Sequence, residues 1–394
     1  MKKVKLGEIA EIRNGATPDT KNFDFWDGNI SWITPNDLSN NNSKYISKGE
    51  RSITEKGAKR ISPKPLPQNT VLLSTRAPIG YLAIASNDLY TNQGFKNIVI
   101  KNANEFSANY IYYYLSSVRE KLSYLGAGTT FKEISGNVIK QMTLFLPDYS
   151  TQQKIAAILS SLDDKIETNN KIASVLEKMM KEIYHYWFVQ FDFPDKNGKP
   201  YQSSGGEMVY NQTLKRLIPK GWEVKTIGTV ATLYQPKTIS ADELIFDGKY
   251  LVYGANGIVG NYDKYNHENN EIAICCRGAS CGQYVMTQPC SWITGNAMIV
   301  TPNSNTITKE YLYYGLSIPV ISKFITGSAQ PQITRTNLEL MKVVIPNNRL
   351  LCKFDMTAIK IREQLQNIFK QTQTLTALRD FLLPLLMNGQ ASVR

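Results

Sequence analysis

The sequence is short of the residues from which most enzymes assemble their chemistry. It has only two histidines, His185 and His267. They fall in a helical stretch and an Asn-rich loop, leaving a histidine triad or multi-histidine metal site little to work with. Of the five cysteines, Cys275, Cys276, Cys281 and Cys290 cluster, but none forms a CxxC pair and the total is odd. Neither a disulfide framework nor a zinc knuckle follows, and they read as small buried strand residues. No GxxxxGK[ST] loop is present; Gly126-Ala127-Gly128 and the spaced Gly254, Gly257 and Gly260 miss the GxGxxG spacing and read as turn glycines. The adjacent acids Asp163 and Asp164 lie on a helical stretch, where carboxylates form solvated faces or subunit contacts rather than a glycosidase pair. No apolar run reaches the roughly 18 residues that would span a bilayer. The start Met1-Lys2-Lys3 leads into Glu8 and Glu11 without an apolar signal core, so a cytoplasmic protein with no membrane partner is expected.

What the chain has in excess is positive charge. With 45 Lys and Arg against 33 Asp and Glu, its formal net charge is +12, which favours a polyanionic partner. Its 394 residues exceed what one hydrophobic core usually organises, so two domains or more are expected.

The chain is written twice. Tyr110-Ile111-Tyr112-Tyr113-Tyr114-Leu115 recurs as Tyr311-Leu312-Tyr313-Tyr314-Gly315-Leu316, an offset of 201 residues. The run ending at Arg76 with Gly80 beyond it is echoed by the run ending at Arg277 with Gly282 beyond it. Ile98-Val99 is echoed by Ile299-Val300, Leu146-Pro147 by Ile345-Pro346, and Leu6-Gly7-Glu8-Ile9-Ala10 by Ile227-Gly228-Thr229-Val230-Ala231. Such repetition makes the repeat the unit of architecture. In each copy, Asn-, Gly-, Thr- and Tyr-rich sequence with short β-branched runs predicts strands and functional loops, and the Tyr-rich segments predict short helices.

After each proline the pattern changes period. Ile155, Leu159, Leu162, Ile166, Asn169, Ala173, Leu176, Met180, Ile183 and Trp187 are spaced by fours and threes. This heptad seam predicts a coiled-coil helix about 50 Å long. The second copy keeps the phase in Phe354, Ala358, Ile361, Leu365, Ile368, Thr372, Leu375, Leu382 and Leu386, so the two helices are natural partners for each other. Asn169 is either a tolerated polar residue or one that sets register. Pro384 predicts a kink or an end to the second helix. The resulting plan has a first domain over 1–150, a helix over 151–190, a connector over 191–219, a second domain over 220–346 and a second helix over 347–394. The fold class is α+β: two tandem mixed α/β domains with two long helices.

Arg76, Lys96, Lys132, Lys237, Arg277 and Arg335 stand in or beside Gly-, Asn- and Thr-rich sequence, which can supply phosphate neutralisation and base-edge hydrogen bonds. Any basic protein also has lysines and arginines near loops.

The stretch from Gln152-Gln153-Lys154-Ile155 to Asp163-Asp164-Lys165-Ile166-Glu167, continuing to Tyr186-Trp187-Phe188-Val189-Gln190-Phe191-Asp192-Phe193, resembles the central conserved region of specificity subunits of Type I restriction-modification systems. Trp32-Ile33-Thr34-Pro35-Asn36-Asp37-Leu38, Arg76-Ala77-Pro78-Ile79-Gly80, Asn92-Gln93-Gly94-Phe95 and Gly128-Thr129-Thr130-Phe131-Lys132-Glu133-Ile134 extend the resemblance in order. It implies two target-recognition domains, each reading half of a bipartite double-stranded DNA site, separated by two long antiparallel coiled-coil helices that act as a ruler and dock two modification subunits. S-adenosylmethionine, ATP and Mg would act in the modification and the restriction or motor subunits, with no cofactor, metal or catalytic residue on this chain. Candidate DNA-binding residues carried over are Thr34, Arg76, Asn92, Gln93, Thr129, Thr130 and Lys132 in the first domain. Those in the second are Asn256, Arg277, Thr294, Asn296, Gln330 and Gln332. Other readings of the same chain are the recognition part of a bipartite-cutting Type II nuclease-methylase and a scaffold that does not touch DNA.

Overall fold

The computed structural model describes every residue except 42, 77, 126–132, 255–256, 304–305, 328–329 and 394, and the side chains of 318 and 319. Two compact units are present: Met1–Lys171 with Phe369–Arg394, and Ile172–Ile368. Each unit therefore takes one half of each long helix.

In the first unit the β-branched runs build a five-stranded sheet in the order Ala10–Asn14, Phe95–Ile100, Val71–Ser74, Leu82–Ala85, Tyr45–Ile46. All pairs are antiparallel except the last, which is parallel. Trp26–Ile33 forms a second, smaller sheet with Ser52–Ile53 and Tyr90–Thr91, and Lys2–Lys5 pairs with Thr143–Leu146. The second unit repeats this plan. Its four-stranded sheet runs Ala231–Tyr234, Ala297–Pro302, Ile272–Cys275, Tyr284–Met286. Its three-stranded sheet joins Gly257–Tyr262, Tyr250–Gly254 and Trp292–Ile293, and Glu223–Thr226 pairs with Lys342–Ile345.

The repetition extends to individual backbone bonds. Gly80 N–H donates to Ser74 O as Gly282 N–H does to Cys275 O, both at 2.9 Å; Asn92 N–H donates to Ile33 O as Thr294 N–H does to Tyr253 O, again at 2.9 Å. Gly80 and Gly282 share a left-handed φ, 92° and 90°, which an L side chain adopts only at a cost.

The first long helix spans Tyr149–Tyr184 and continues as a π-helical turn over His185–Val189; the second spans Asn348–Met387. The second runs through Pro384, so of the kink or end expected there the end does not occur. A proline forfeits the hydrogen bond at its own nitrogen, and the Pro384 carbonyl still accepts from Asn388 N–H at 3.0 Å. The seam residues lie inward. Ile155 and Leu159 are buried in the first unit, and Leu162, Ile166, Leu375 and Leu382 are half-buried there. Asn169 is buried and donates to Thr372 Oγ1 at 3.3 Å. In the second unit Phe354 and Ile361 are buried, with Leu176, Ile183, Leu365 and Ile368 half-buried.

The Tyr-rich segments are helices, Ala108–Ser117 and Lys309–Gly315, each packed into its own unit's core with Tyr110 and Tyr311 fully enclosed. Polar bonds tie each to a long helix. In the first unit Tyr113 OH donates to Asp163 Oδ2 at 2.6 Å, and Arg379 Nη1 donates to Asp163 Oδ1 at 3.0 Å. Asp163 is thus a half-buried structural anchor rather than part of a solvated face. In the second unit Arg362 grips Glu310 through Nε at 3.2 Å and Nη2 at 2.9 Å, with Glu177 at 3.6 Å from Nη1.

Because the Arg362 and Glu310 side chains are only 11% and 8% exposed, Arg362→Ala leaves a buried carboxylate unpaired. It should cost about 3–5 kcal/mol in chemical denaturation. Arg379→Ala should cost clearly less, since Arg379 is 29% exposed and water can replace part of its pairing.

A pH effect is expected at Asp355, which accepts from Thr308 Oγ1 at 2.8 Å at the start of the second Tyr-rich helix. Burial pushes its carboxyl up to about 6 from an ordinary 3.8, against the Thr308 hydrogen bond and with help from Glu310. The folded chain thus holds a proton that the unfolded chain releases, so stability falls as pH rises through the interval from 3.8 to about 6. Asp355→Asn should raise the melting temperature at neutral pH and flatten that slope, measured by thermal denaturation across the interval.

Candidate nucleic-acid interface

At one end of the first unit's sheets, four segments converge. Strand Trp26–Ile33 runs into Thr34, Val71–Ser74 into Arg76 and Tyr90–Thr91 into Asn92 and Gln93, while Glu133 returns beside Arg76 as an isolated β-bridge. A cleft of about 590 Å³ opens there, lined by Thr34, Arg76, Asn92 and Gln93 together with Asn36 and Tyr81. The backbone at Asn92 is closely approached by Gly15: a Cβ there would lie 1.9 Å from the Asn92 carbonyl oxygen, so only glycine permits that approach. Four of the residues expected from sequence are thus neighbours in space. Thr129, Thr130 and Lys132 lie outside the described residues.

The four differ in what they have left to offer. Thr34 caps the short helix Pro35–Ser39: its Oγ1 and N–H both donate to Asp37 Oδ2 at 2.7 Å, and Asp37 N–H donates back to Thr34 Oγ1 at 3.3 Å. Asn92 accepts from Gly94 N–H through Oδ1 at 2.9 Å, and its amide NH2 has no partner among the described residues. Gln93 is exposed and bonded to Thr17 through its Oε1. Arg76, 48% exposed, donates from Nε to Glu133 Oε2 at 2.9 Å, while Lys96 Nζ donates to Glu133 Oε1 at 3.0 Å. Burial raises the Glu133 carboxyl, but the hydrogen bonds from Lys96 and Arg76 outweigh it and hold the group below its ordinary value.

Lys96 itself sits on strand Phe95–Ile100 with its side chain 9% exposed, so it is a buried counter-ion rather than a loop cation. Sequence reasoning missed Glu133 and its hold on two basic residues. The available signal was a paired change between the copies: Met298 stands where the first has Lys96, and Gln332 where it has Glu133.

In the second unit, Arg277 forms the equivalent bridge with Gln332, and its exposed side chain has no ion pair among the described residues. Asn296 is exposed and its carbonyl accepts from Cys276 N–H at 3.1 Å. Gln330 and Gln332 are exposed, the latter on strand Gln332–Ile333. Thr294 is buried, 5% exposed, and its Oγ1 has no partner among the described residues. Asn256 lies outside the described residues. Lys237 is exposed, whereas Arg335 is paired with Glu339 at 2.7 Å.

His267 is half-buried with Nε2 at 2.9 Å from Tyr234 OH, and burial lowers its pKa despite the Glu271 carboxylate. The cysteines depart from the buried-strand expectation: Cys281 and Cys290 are half-exposed in turns, Cys290 with a φ of 52°, and Cys352 is exposed on the second long helix. Among the described residues no helix is long and apolar enough to cross a membrane, and no three His, Cys, Asp or Glu side chains group as metal ligands.

Residues 1–178 and 219–368 both match the Type I restriction modification DNA specificity domain. The chain belongs to this family. The MjaIX specificity subunit of Methanocaldococcus jannaschii is 35% identical over 99% of this chain and 93% of its own length. The EcoprrI specificity subunit of Escherichia coli is 23% identical, covering 91% of this chain and 88% of its own. The crystal structure of the Type I S subunit from M. genitalium shares the fold, with a TM-score of 0.64 at 19% identity, covering 98% of this chain and 96% of that one. Membership makes this a Type I specificity subunit with two tandem target-recognition domains, itself non-catalytic.

Since the Thr34 side chain is spent on a capping box, Thr34→Ala in this specificity subunit should cost about 1 kcal/mol of stability. Thermal denaturation checks it; an unchanged melting temperature would show that the cap contributes nothing.

Proposed function

We propose that this specificity subunit reads a bipartite double-stranded DNA site, one half with residues 1–150 and the other with 220–346, and recruits modification subunits that methylate adenine. The observation that carries this reading is the repeated backbone frame, which presents an exposed arginine and polar loop residues at equivalent places in two domains of one basic chain. Arg76, Asn92, Gln93, Arg277, Asn296, Gln330 and Gln332 offer exposed or half-exposed groups of the kinds that meet phosphates and base edges. Thr129, Thr130, Lys132 and Asn256, which lie outside the described residues, are carried from the sequence as candidates for the same role.

The helices over 151–190 and 347–394 set the spacer between half-sites and dock two modification subunits, with 191–219 as connector. Exposed apolar side chains on these helices support the docking role: Ile172, Val175 and Met179 on the first, Met356, Ile359, Leu378 and Phe381 on the second. S-adenosylmethionine is used by the modification subunits, and ATP and Mg by restriction or motor subunits that join the complex in the cytoplasm.

The test is methylation-sensitive sequencing of genomic DNA from cells expressing this chain and its modification partner, against a deletion of this chain. Loss of adenine methylation at one bipartite motif is expected. A methylome unchanged by the deletion, with both proteins expressed, rejects the proposal.

A further inference from the structure

We infer that Arg76 and Arg277 are matched phosphate anchors, one in each target-recognition domain, and that Glu133 is the positioning residue for the first. This rests on the DNA-reading proposal and deepens it.

The two arginines occupy one backbone frame. Arg76 bridges Glu133 and Arg277 bridges Gln332. The residue before each accepts from the residue after its bridge partner, Thr75 O from Ile134 N–H at 3.0 Å and Cys276 O from Ile333 N–H at 2.9 Å. Around this shared arginine the side chains differ: Asn92 stands where the second domain has Thr294, and Gly94 where it has Asn296. Domains that read different half-sites need different base-contacting groups, whereas a side chain kept in the same frame in both serves what every DNA shares, its phosphates.

The charge balance supports the assignment. Glu133 takes only Nε of Arg76, leaving Nη1 and Nη2 without a partner among the described residues, an edge that fits two phosphate oxygens. One carboxylate against two cations leaves this trio at +1. In the second domain Met298 faces Ile274 in the register where Lys96 faces Leu73, and Gln332 replaces Glu133. Both charges vanish together and Arg277 again presents +1. Each domain therefore offers one uncompensated positive charge at the same place, by different means.

The test uses this chain in complex with its modification subunit. Binding is measured against salt on a duplex carrying the methylated motif, on variants with single base changes, and on an unrelated duplex. Arg76→Gln and Arg277→Gln should each weaken binding to all duplexes by a common factor. Each should also lower the slope of log K against log salt by about 0.9, the loss of one phosphate contact, without changing the ranking of the base variants. If either substitution instead makes one base position indifferent and leaves the unrelated duplex bound as before, that arginine reads a base and the inference falls. A wild-type complex with no salt-dependent binding to any duplex overturns the DNA-reading proposal itself.

For Glu133, the double substitution K96M/E133Q installs the second domain's combination and leaves no buried ammonium unpaired. Arg76→Gln should cost measurably less in that background than in the wild type. Equal costs in both backgrounds would remove the positioning role.

Discussion

Each target-recognition domain depends on a buried polar tie between its Tyr-rich helix and a long helix. In the first unit Tyr113 reaches Asp163; at the equivalent position of the second, Tyr314 lies 3.5 Å from Arg362. The two repeats thus carry opposite charges at the same point of the heptad pattern. A tyrosine hydroxyl accommodates both, donating to a carboxylate and accepting from a guanidinium. Burial first and Asp163 second push the Tyr113 hydroxyl well above its ordinary value, so it remains a donor across the physiological range. Since each pole then finds its complement on the other helix, Arg379 for Asp163 and Glu177 for Arg362, the same residues that seat the sheets also hold the antiparallel helix pairing within each unit.

The interface loops spring from that seated frame. Short strands end in a narrow cluster where backbone bonds and one arginine recur in both domains while the side chains around it differ. This division suits a recognition protein: hydrogen bonds of the main chain hold the loop positions, leaving side chains free to differ with the half-site. The replacement of Lys96 and Glu133 by Met298 and Gln332 shows how such change is constrained. A buried ammonium requires its carboxylate, so the two are exchanged as a unit.

Much of this architecture was legible in the sequence because it rests on periodicity. The 201-residue offset of the Tyr-rich segments announced the duplication, and fours and threes along Ile155, Leu159, Leu162 and Ile166 announced the inward seam of a long helix. Thr34, Arg76, Asn92 and Gln93 were individual candidates in the sequence; that they line one cleft, and which of them has a free hydrogen-bonding group, depends on folding and not on spacing. Lys96 illustrates the limit. By composition it is another cation near a loop; by position it is interior and already paired.

The sequence alone therefore determined the duplicated plan, the helix phase and the absence of the common catalytic motifs, all of which are properties of residue order along one chain. Tertiary structure decided how the polar groups are used. It assigned the Thr34 hydroxyl to Asp37, the Asp163 carboxylate to Tyr113 and Arg379, and the Glu133 carboxylate to Arg76 and Lys96. The physical reason is that hydrogen bonds and ion pairs act over a few ångströms between residues as much as 216 positions apart, and such proximity is created only when strands and helices pack.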